Sequence, residues 1–419
     1  MKLELLKEAI AENIKSNKSL ERLYRDNKAL FRRAFQLVYP ALEENLAARF
    51  WKDRLEYQRD DFSPGNRKDI LFVILCSFIA GLIANIPNFF GLVPDTFFQR
   101  NIGFVVFPIL MIYFAVKEGL SLKKGIVPIL IIIFSVLYIN LFPSASESDT
   151  FILACIHMPI FLWVLLGYVF TGGDHRGDEK KIDFLRWNGN LLVMAAILVL
   201  SGALFTGITV GLFQLIGFDI IEFYMKHIAI WGLAAIPIVA THLVRSNPQL
   251  VNNVSPVIAR IFTPIVFFTL LVFLGAMMFS KESVYQDRDF LIMFNILLIG
   301  VMAIILFSVT EANKNIYQQY SYWFLLGVAG LTIILNSIAL SAIIFRLAEY
   351  GITPNRIAVL GANILIFINL LLVAQQLYRV IRARTDEQHV EKVITAFMPL
   401  YGIWAAVVTF VLPLLFGYK

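Results

Sequence analysis

The segment Arg346-Leu347-Ala348-Glu349-Tyr350-Gly351-Ile352-Thr353-Pro354-Asn355-Arg356 sets two guanidinium groups and a carboxylate between long apolar runs. Arg346 and Glu349 are three residues apart, so both project from one helix face. Gly351 accepts a left-handed helix end, and Pro354 bars simple continuation. Thr353 then caps the next helix, with Pro354 at its first position. Arg356 falls in that helix's first turn, where a cation opposes the dipole and needs a carboxylate or another acceptor close by. Glu349 is the partner the sequence offers. Three readings stay open: a clamp in which the charges pin a tight hairpin, a site for an anionic solute or lipid headgroup, and direct catalysis. In the binding reading Asn336, Asn355 and Asn363 join Arg346, Glu349 and Arg356, with the asparagines supplying uncharged bonds deeper in the bundle.

Other ionisable groups stand in apolar surroundings, where they are costly and become functional candidates. Glu222 and Lys226 are four apart in the favourable order, which predicts an interfacial ion pair beside His227. His157 precedes Pro159 and suits either a packing hydrogen bond or a proton relay. Cys155 and His157 lie two apart, on different helix sides, and make no metal pair. The loop around His175 has metal-capable residue types without a ligand spacing. Asn188, Asn190, Asn295 and Asn369 are suited to bonding across helices. Asn336, Ser337 and Ser341 predict a polar strip, and Gly202, Gly207, Gly211, Gly327 and Gly330 predict close helix contacts. There is no GxSxG elbow, HExxH zinc motif or phosphate-binding GxxxxGKS/T loop. No cofactor or metal is assigned, and enzymatic activity stays an open question.

Elements that hold such groups must live in an apolar solvent. Of 419 residues, 58% are apolar, 16% are charged and 37 are phenylalanine. The mean hydropathy is +0.73. A soluble chain this long leaves roughly a quarter of its unfolded surface exposed, so it could not hide that much apolar side chain. An all-α polytopic membrane protein follows. Spans of about 20 apolar residues fall near 70–92, 101–117, 125–143, 151–171, 189–214, 220–244, 256–279, 289–309, 321–345, 355–377 and 394–416, about eleven in all. Asn85, Pro87 and Asn88 predict a break in the first. Pro108 interrupts the short second, and Gly217 and Asp219 mark a tight turn between the fifth and sixth. Cys76 and Cys155 sit within apolar runs, which excludes a disulfide framework.

Charge divides the chain. Residues 1–69 hold 15 Lys/Arg and 12 Asp/Glu, and the other 350 residues hold 21 and 18. This first region reads as a cytoplasmic helical module rather than a signal peptide. Leu20, Leu23, Tyr24, Leu30, Phe31, Ala34, Phe35 and Val38 form one apolar stripe. A further helix starts at Pro40, with Leu42, Leu46, Phe50, Trp51 and Leu55 on its apolar side. Such a surface packs on neighbours, docks a protein partner or lies on the membrane. The breaker Ser63-Pro64-Gly65-Asn66 leads to the transmembrane domain, 70–419. Lys117, Lys123, Lys124, Arg176, Lys180, Lys181, Arg186, Arg245, Lys314, Arg379, Arg382, Arg384 and Lys392 fall on the side of the N-terminus. Glu147, Asp149 and the mixed set Lys281, Glu282, Asp287 and Arg288 fall on the other, which places the N-terminus in the cytoplasm and the C-terminus outside. The 346–356 hairpin breaks the rule with two outer arginines. The formal charge of +6 follows the same bias, and neither a glycine-rich basic tail nor a zinc knuckle argues for nucleic acid.

The stretch RLAEYGITPNR, followed by an apolar helix with Asn363 and Asn369, resembles the uncharacterised bacterial membrane family catalogued as domain of unknown function 4153. SLERLYR, FWKDRLEY and RKDILFV are similar to its members too, and the resemblance spans nearly the whole chain. Arg346, Glu349, Tyr350, Gly351, Thr353, Asn355 and Arg356 occupy its motif. The resemblance implies a multi-pass protein of a bacterial membrane and implies no reaction or substrate; with the charge alternation, the expected location is the inner membrane with a periplasmic C-terminus. Transport or channel-like movement of a small or anionic solute or a lipid headgroup is the leading functional expectation. The alternatives are a membrane enzyme acting on a lipid-linked substrate and a scaffold. Membrane lipids are the expected partners, with a protein partner at residues 1–69, no nucleic acid and an open oligomeric state.

Overall fold

Hydrocarbon offers no water to a peptide group, so each amide and carbonyl in a span must pair within its own segment, and a helix does this. The computed structural model describes residues 3–14, 16–26, 28–42, 44–57, 67–143, 148–173, 178–215, 218–247, 255–279, 288–312, 318–382 and 388–418. These residues are helices and short connections, without a strand among them. The chain divides into two units, Met1–Ser63 and Pro64–Lys419. The Ser63–Asn66 breaker, the His175 loop, Gly217 and the loop charges Glu147, Arg176, Lys281, Glu282, Asp287, Lys314 and Arg384 lie outside the described residues.

In the first unit, α1 (Leu3–Glu12), α2 (Asn17–Asp26), α3 (Lys28–Val38) and α4 (Leu46–Tyr57) enclose their own core. Tyr24, Phe31 and Trp51 meet there with ring centroids 5.3 to 5.7 Å apart. The expected helix start at Pro40 is corrected. Pro40 belongs to a single 3-10 turn, Tyr39–Ala41, and the helix begins at Leu46. That shift turns Trp51 and Leu55 inward and leaves Leu46 83% and Phe50 62% exposed.

The second unit holds α5 (Arg67–Ala84), α6 (Ile86–Phe90), α7 (Pro94–Lys117), α8 (Leu122–Leu141), α9 (Asp149–Phe170) and α10 (Asp178–Leu215). It continues with α11 (Ile221–Ser246), α12 (Ser255–Phe279), α13 (Arg288–Ala312), α14 (Gln318–Tyr350), α15 (Pro354–Ile381) and α16 (Gln388–Leu415). Among the described residues, eight helices are long and apolar enough to cross a membrane: α7 to α11 and α14 to α16. The other expected spans fall on α5, α12 and α13. Apolar residues surround the long helices instead of forming one stripe, the pattern of helices with protein on one side and lipid on the other.

Two local expectations change. Pro108 lies inside α7 without ending it, because Phe104, Val105, Ile109 and Leu110 are buried on either side of the lost hydrogen bond. Gly202, Gly207 and Gly211 of α10 meet no neighbour among the described residues, since Leu200, Leu204, Phe205 and Ile208 around them are exposed. The break near Asn85 is present: α5 stops at Ala84, and Asn85 donates from Nδ2 to the Gly81 carbonyl at 2.9 Å.

Side chains tie the helix ends into two groups. Lys117 Nζ reaches Asp69 Oδ1 at 2.6 Å, Arg245 reaches Glu118 at 2.9 Å, and Lys124 Nζ donates to the Gly172 carbonyl at 3.1 Å. These contacts gather the start of α5, the ends of α7, α9 and α11, and the start of α8. At the opposite end Ser148 Oγ donates to the Tyr418 carbonyl at 2.9 Å, and Asn88 Nδ2 donates to the Lys226 carbonyl at 3.1 Å. Asp69 and Tyr418 therefore occupy opposite ends of this unit.

Candidate functional site

The 346–356 hairpin joins the most extensively packed helix pair, α14 and α15. α14 closes at Tyr350, and Gly351 takes φ 78°, where its amide donates to the Leu347 carbonyl at 3.1 Å. Thr353 Oγ1 accepts the Arg356 amide at 3.4 Å, with Pro354 opening α15. The expected pairing of Glu349 with an arginine is corrected. Arg356 Nη1 donates to the carbonyls of Tyr350 at 2.8 Å and Gly351 at 2.5 Å. Glu349 is exposed and forms no ion pair among the described residues. The reason is proximity: the last carbonyls of α14 have no intrahelical donors and carry the negative end of its dipole. Arg356 is held against that end, so the cation that opposes α15 suits α14. Arg346 and Arg356 also approach the Tyr350 ring, at 6.0 and 5.6 Å from its centroid. Asn355 is half-buried beside them.

Asn336 and Asn363 come together, but away from the arginines. Asn336 is 0% and Asn363 2% exposed. Asn336 Nδ2 donates to the Asn363 carbonyl at 3.1 Å, and Asn363 Nδ2 donates to Asn295 Oδ1 of α13 at 2.7 Å. At ~1.5 Å per residue, Arg346 lies about 15 Å along the helix from Asn336. Ala339, Ala342 and Ile343 are buried between them. The expected polar strip is also corrected: Ser337 and Ser341 are exposed and bond to carbonyls of their own helix, Ile333 and Ile338. Helical geometry turns them away from Asn336, because neighbours at one and five residues do not share its face.

The remaining candidates stand apart. His157 Nδ1 lies 2.9 Å from the Leu153 carbonyl of its own helix. Glu222, Lys226 and His227 are exposed, and the expected Glu222–Lys226 ion pair is absent among the described residues. A π-helical turn at Met225–Ala229 begins between the two residues and displaces Lys226 from the ideal four-residue register. The His227 ring lies tilted against that of Phe223, with centroids 5.0 Å apart. No group of three or more His, Cys, Asp or Glu side chains able to hold a metal occurs among the described residues.

A cleft of about 580 Å³ opens between α8, α9, α10 and α16, within the ~300–1,000 Å³ usual for small-molecule sites. Its walls are apolar, with Ile131 of α8, Phe161 and Val164 of α9, and Ile403 of α16. Close approach of α9 to Gly402 keeps the floor smooth: a Cβ there would lie 2.7 Å from Val164 Cγ1. Polarity is confined to Tyr168, Thr171 and Lys181. Lys181 Nζ contacts Asp178 Oδ1 at 3.4 Å, while Lys180 Nζ donates to the Thr171 carbonyl at 3.4 Å. With Lys124 on Gly172, three lysines surround the carboxyl end of α9. Composition hides this constellation, because in sequence Lys124, Lys180 and Lys181 read only as loop charges.

The fold and these sites define a multi-pass helical integral membrane protein. No family model, curated protein or solved structure matches the chain.

Proposed function

We propose that the protein binds and moves a lipid-like amphiphile, admitted sideways into the cleft between α8, α9, α10 and α16. The observation that carries this reading is an apolar cleft of about 580 Å³ whose polar lining residues, Tyr168, Thr171 and Lys181, lie toward the carboxyl end of α9 and the start of α10. An amphiphile has the same division. Eleven crossings, a cytoplasmic N-terminus, a bacterial inner membrane and kinship with the family resembled by RLAEYGITPNR belong to the same proposal. Support for an odd number of crossings comes from Asp69 and Tyr418 lying at opposite ends of the second unit. Passage of a solute along α14 and α15 is less well supported, since Arg356 is engaged by carbonyls and Asn336 is enclosed.

Reconstitution with a fluorescent phospholipid tests the proposal. Protein-containing vesicles are expected to expose inner-leaflet probe to an external quencher faster than empty vesicles. Ile131→Trp and Ile403→Trp, which fill the cleft, are expected to slow that exchange. Exchange equal to that of empty vesicles rejects movement. Rapid exchange unchanged by both fillers places it elsewhere.

A further inference from the structure

The lysine at the cleft's polar end bears on which amphiphile enters, an inference that rests on the lipid-handling reading above. A tail leaving the bilayer for an apolar cleft exchanges one hydrocarbon environment for another, because lipid tails are as apolar as the side chains lining it. Ile131, Phe161, Val164 and Ile403 therefore hold a chain without choosing between lipids. Choice must come from the polar end. Lys181 is the charged residue among the lining side chains, and Tyr168 and Thr171 stand beside it. Its ammonium has three donors. The contact to Asp178 Oδ1 is long, at 3.4 Å, and Asp178 is only partly buried. Lys124 and Lys180 add positive charge around the same helix end while capping the carbonyls of Gly172 and Thr171. A zwitterionic headgroup would bring its own cation to this cluster. An anionic one would not.

We infer that the cleft selects an anionic phospholipid, its phosphate against Lys181 at the mouth and one acyl chain between α8, α9 and α16. Tyr168 and Thr171 border the headgroup, and Lys124 and Lys180 contribute longer-range attraction. Each lysine near a membrane surface contributes roughly a five-fold preference for anionic over neutral lipid.

The full-length protein in vesicles supplies the test, with a photoactivatable acyl chain carried by phosphatidylglycerol in one preparation and by phosphatidylcholine in another. Peptide mapping after illumination is expected to show labelling at α8, α9 and α16, at least about five-fold stronger with phosphatidylglycerol. Lys181→Gln should lower phosphatidylglycerol labelling roughly five-fold while leaving phosphatidylcholine labelling intact. That retained labelling also shows that the variant is folded. Arg379→Gln on α15 should change neither. Equal labelling by both lipids in the unaltered protein, or a preference untouched by Lys181→Gln, overturns headgroup selection but leaves the cleft a lipid site. Absence of cleft labelling by either lipid, or labelling undiminished by both Ile131→Trp and Ile403→Trp, overturns the lipid-handling reading and this inference together.

Discussion

Arg356 shows how a charge that conflicts with its own helix can suit its neighbour. Its guanidinium holds the last carbonyls of α14, and the same device recurs at Arg100, whose Nη1 donates to the Ile139 and Asn140 carbonyls at 3.1 and 3.0 Å. Asn101 and Asn140 lock that second corner with reciprocal amide bonds of 3.0 and 2.8 Å. Arg356→Ala is expected to lower stability by about 1 kcal/mol, the usual net worth of a hydrogen-bonded group, and thermal unfolding in detergent measures it. Glu349→Gln should leave the midpoint unchanged. A loss from Glu349→Gln as large as that from Arg356→Ala would restore the ion-pair account. Deeper in the bundle, a double-mutant cycle on Asn295 and Asn363 should give a coupling of about 0.5–1.7 kcal/mol, the range of buried amide bonds in membrane proteins. A coupling of zero would mean that their 2.7 Å bond contributes nothing net.

Between elements, close approach decides the packing of α15 against α16. A Cβ at Gly361 would overlap the indole of Trp404, whose Nε1 donates to the Ala358 carbonyl at 3.2 Å. Gly361→Val should therefore cost about 1–3 kcal/mol through overpacking. Trp404→Leu added to it should recover part of the loss, because the smaller side chain vacates that space. Unfolding midpoints of the single and double variants check this, and a strictly additive result rejects the steric account. The π-helical turn of α11 works on the same scale. It loosens the regular ladder, and Asn88 from beyond α5 supplies a donor to the Lys226 carbonyl.

For the molecule as a whole, the charge alternation of the loops predicts one orientation. With Cys76 and Cys155 replaced, single cysteines at Glu179 and Arg382 should react with a membrane-impermeant reagent only after the cytoplasmic face is opened. A cysteine at Ile352 should react from outside in intact cells. The reverse pattern would invert the topology. The outer arginines of the hairpin cease to be an anomaly in this frame, because Arg356 serves the carbonyls at a helix end. The positive-inside rule counts cations in loops and takes no account of such local acceptors.

Composition determined the class, since no water-soluble fold can hide an excess of apolar side chain over so long a chain. Hydropathy placed the ends of the eight long helices to within seven residues, except that α10 starts at Asp178 and not near 189, and Gly351, Thr353 and Pro354 announced the hairpin, because capping and backbone strain are local properties. Partners more than one turn away were a different matter. Glu349 and the carbonyls of Tyr350 and Gly351 all lie within seven residues of Arg356, so spacing did not tell the carboxylate from the carbonyls that the fold brought within its reach. The lysines beside α9 read as ordinary loop charges until α16, far along the chain, closed a cleft with the consecutive helices α8, α9 and α10 next to Lys181. Helical periodicity tells which residues share a face of one helix, but an intramembrane helix that is apolar all round does not say which face meets protein and which meets lipid. Tertiary packing decided that, and with it where a ligand has room.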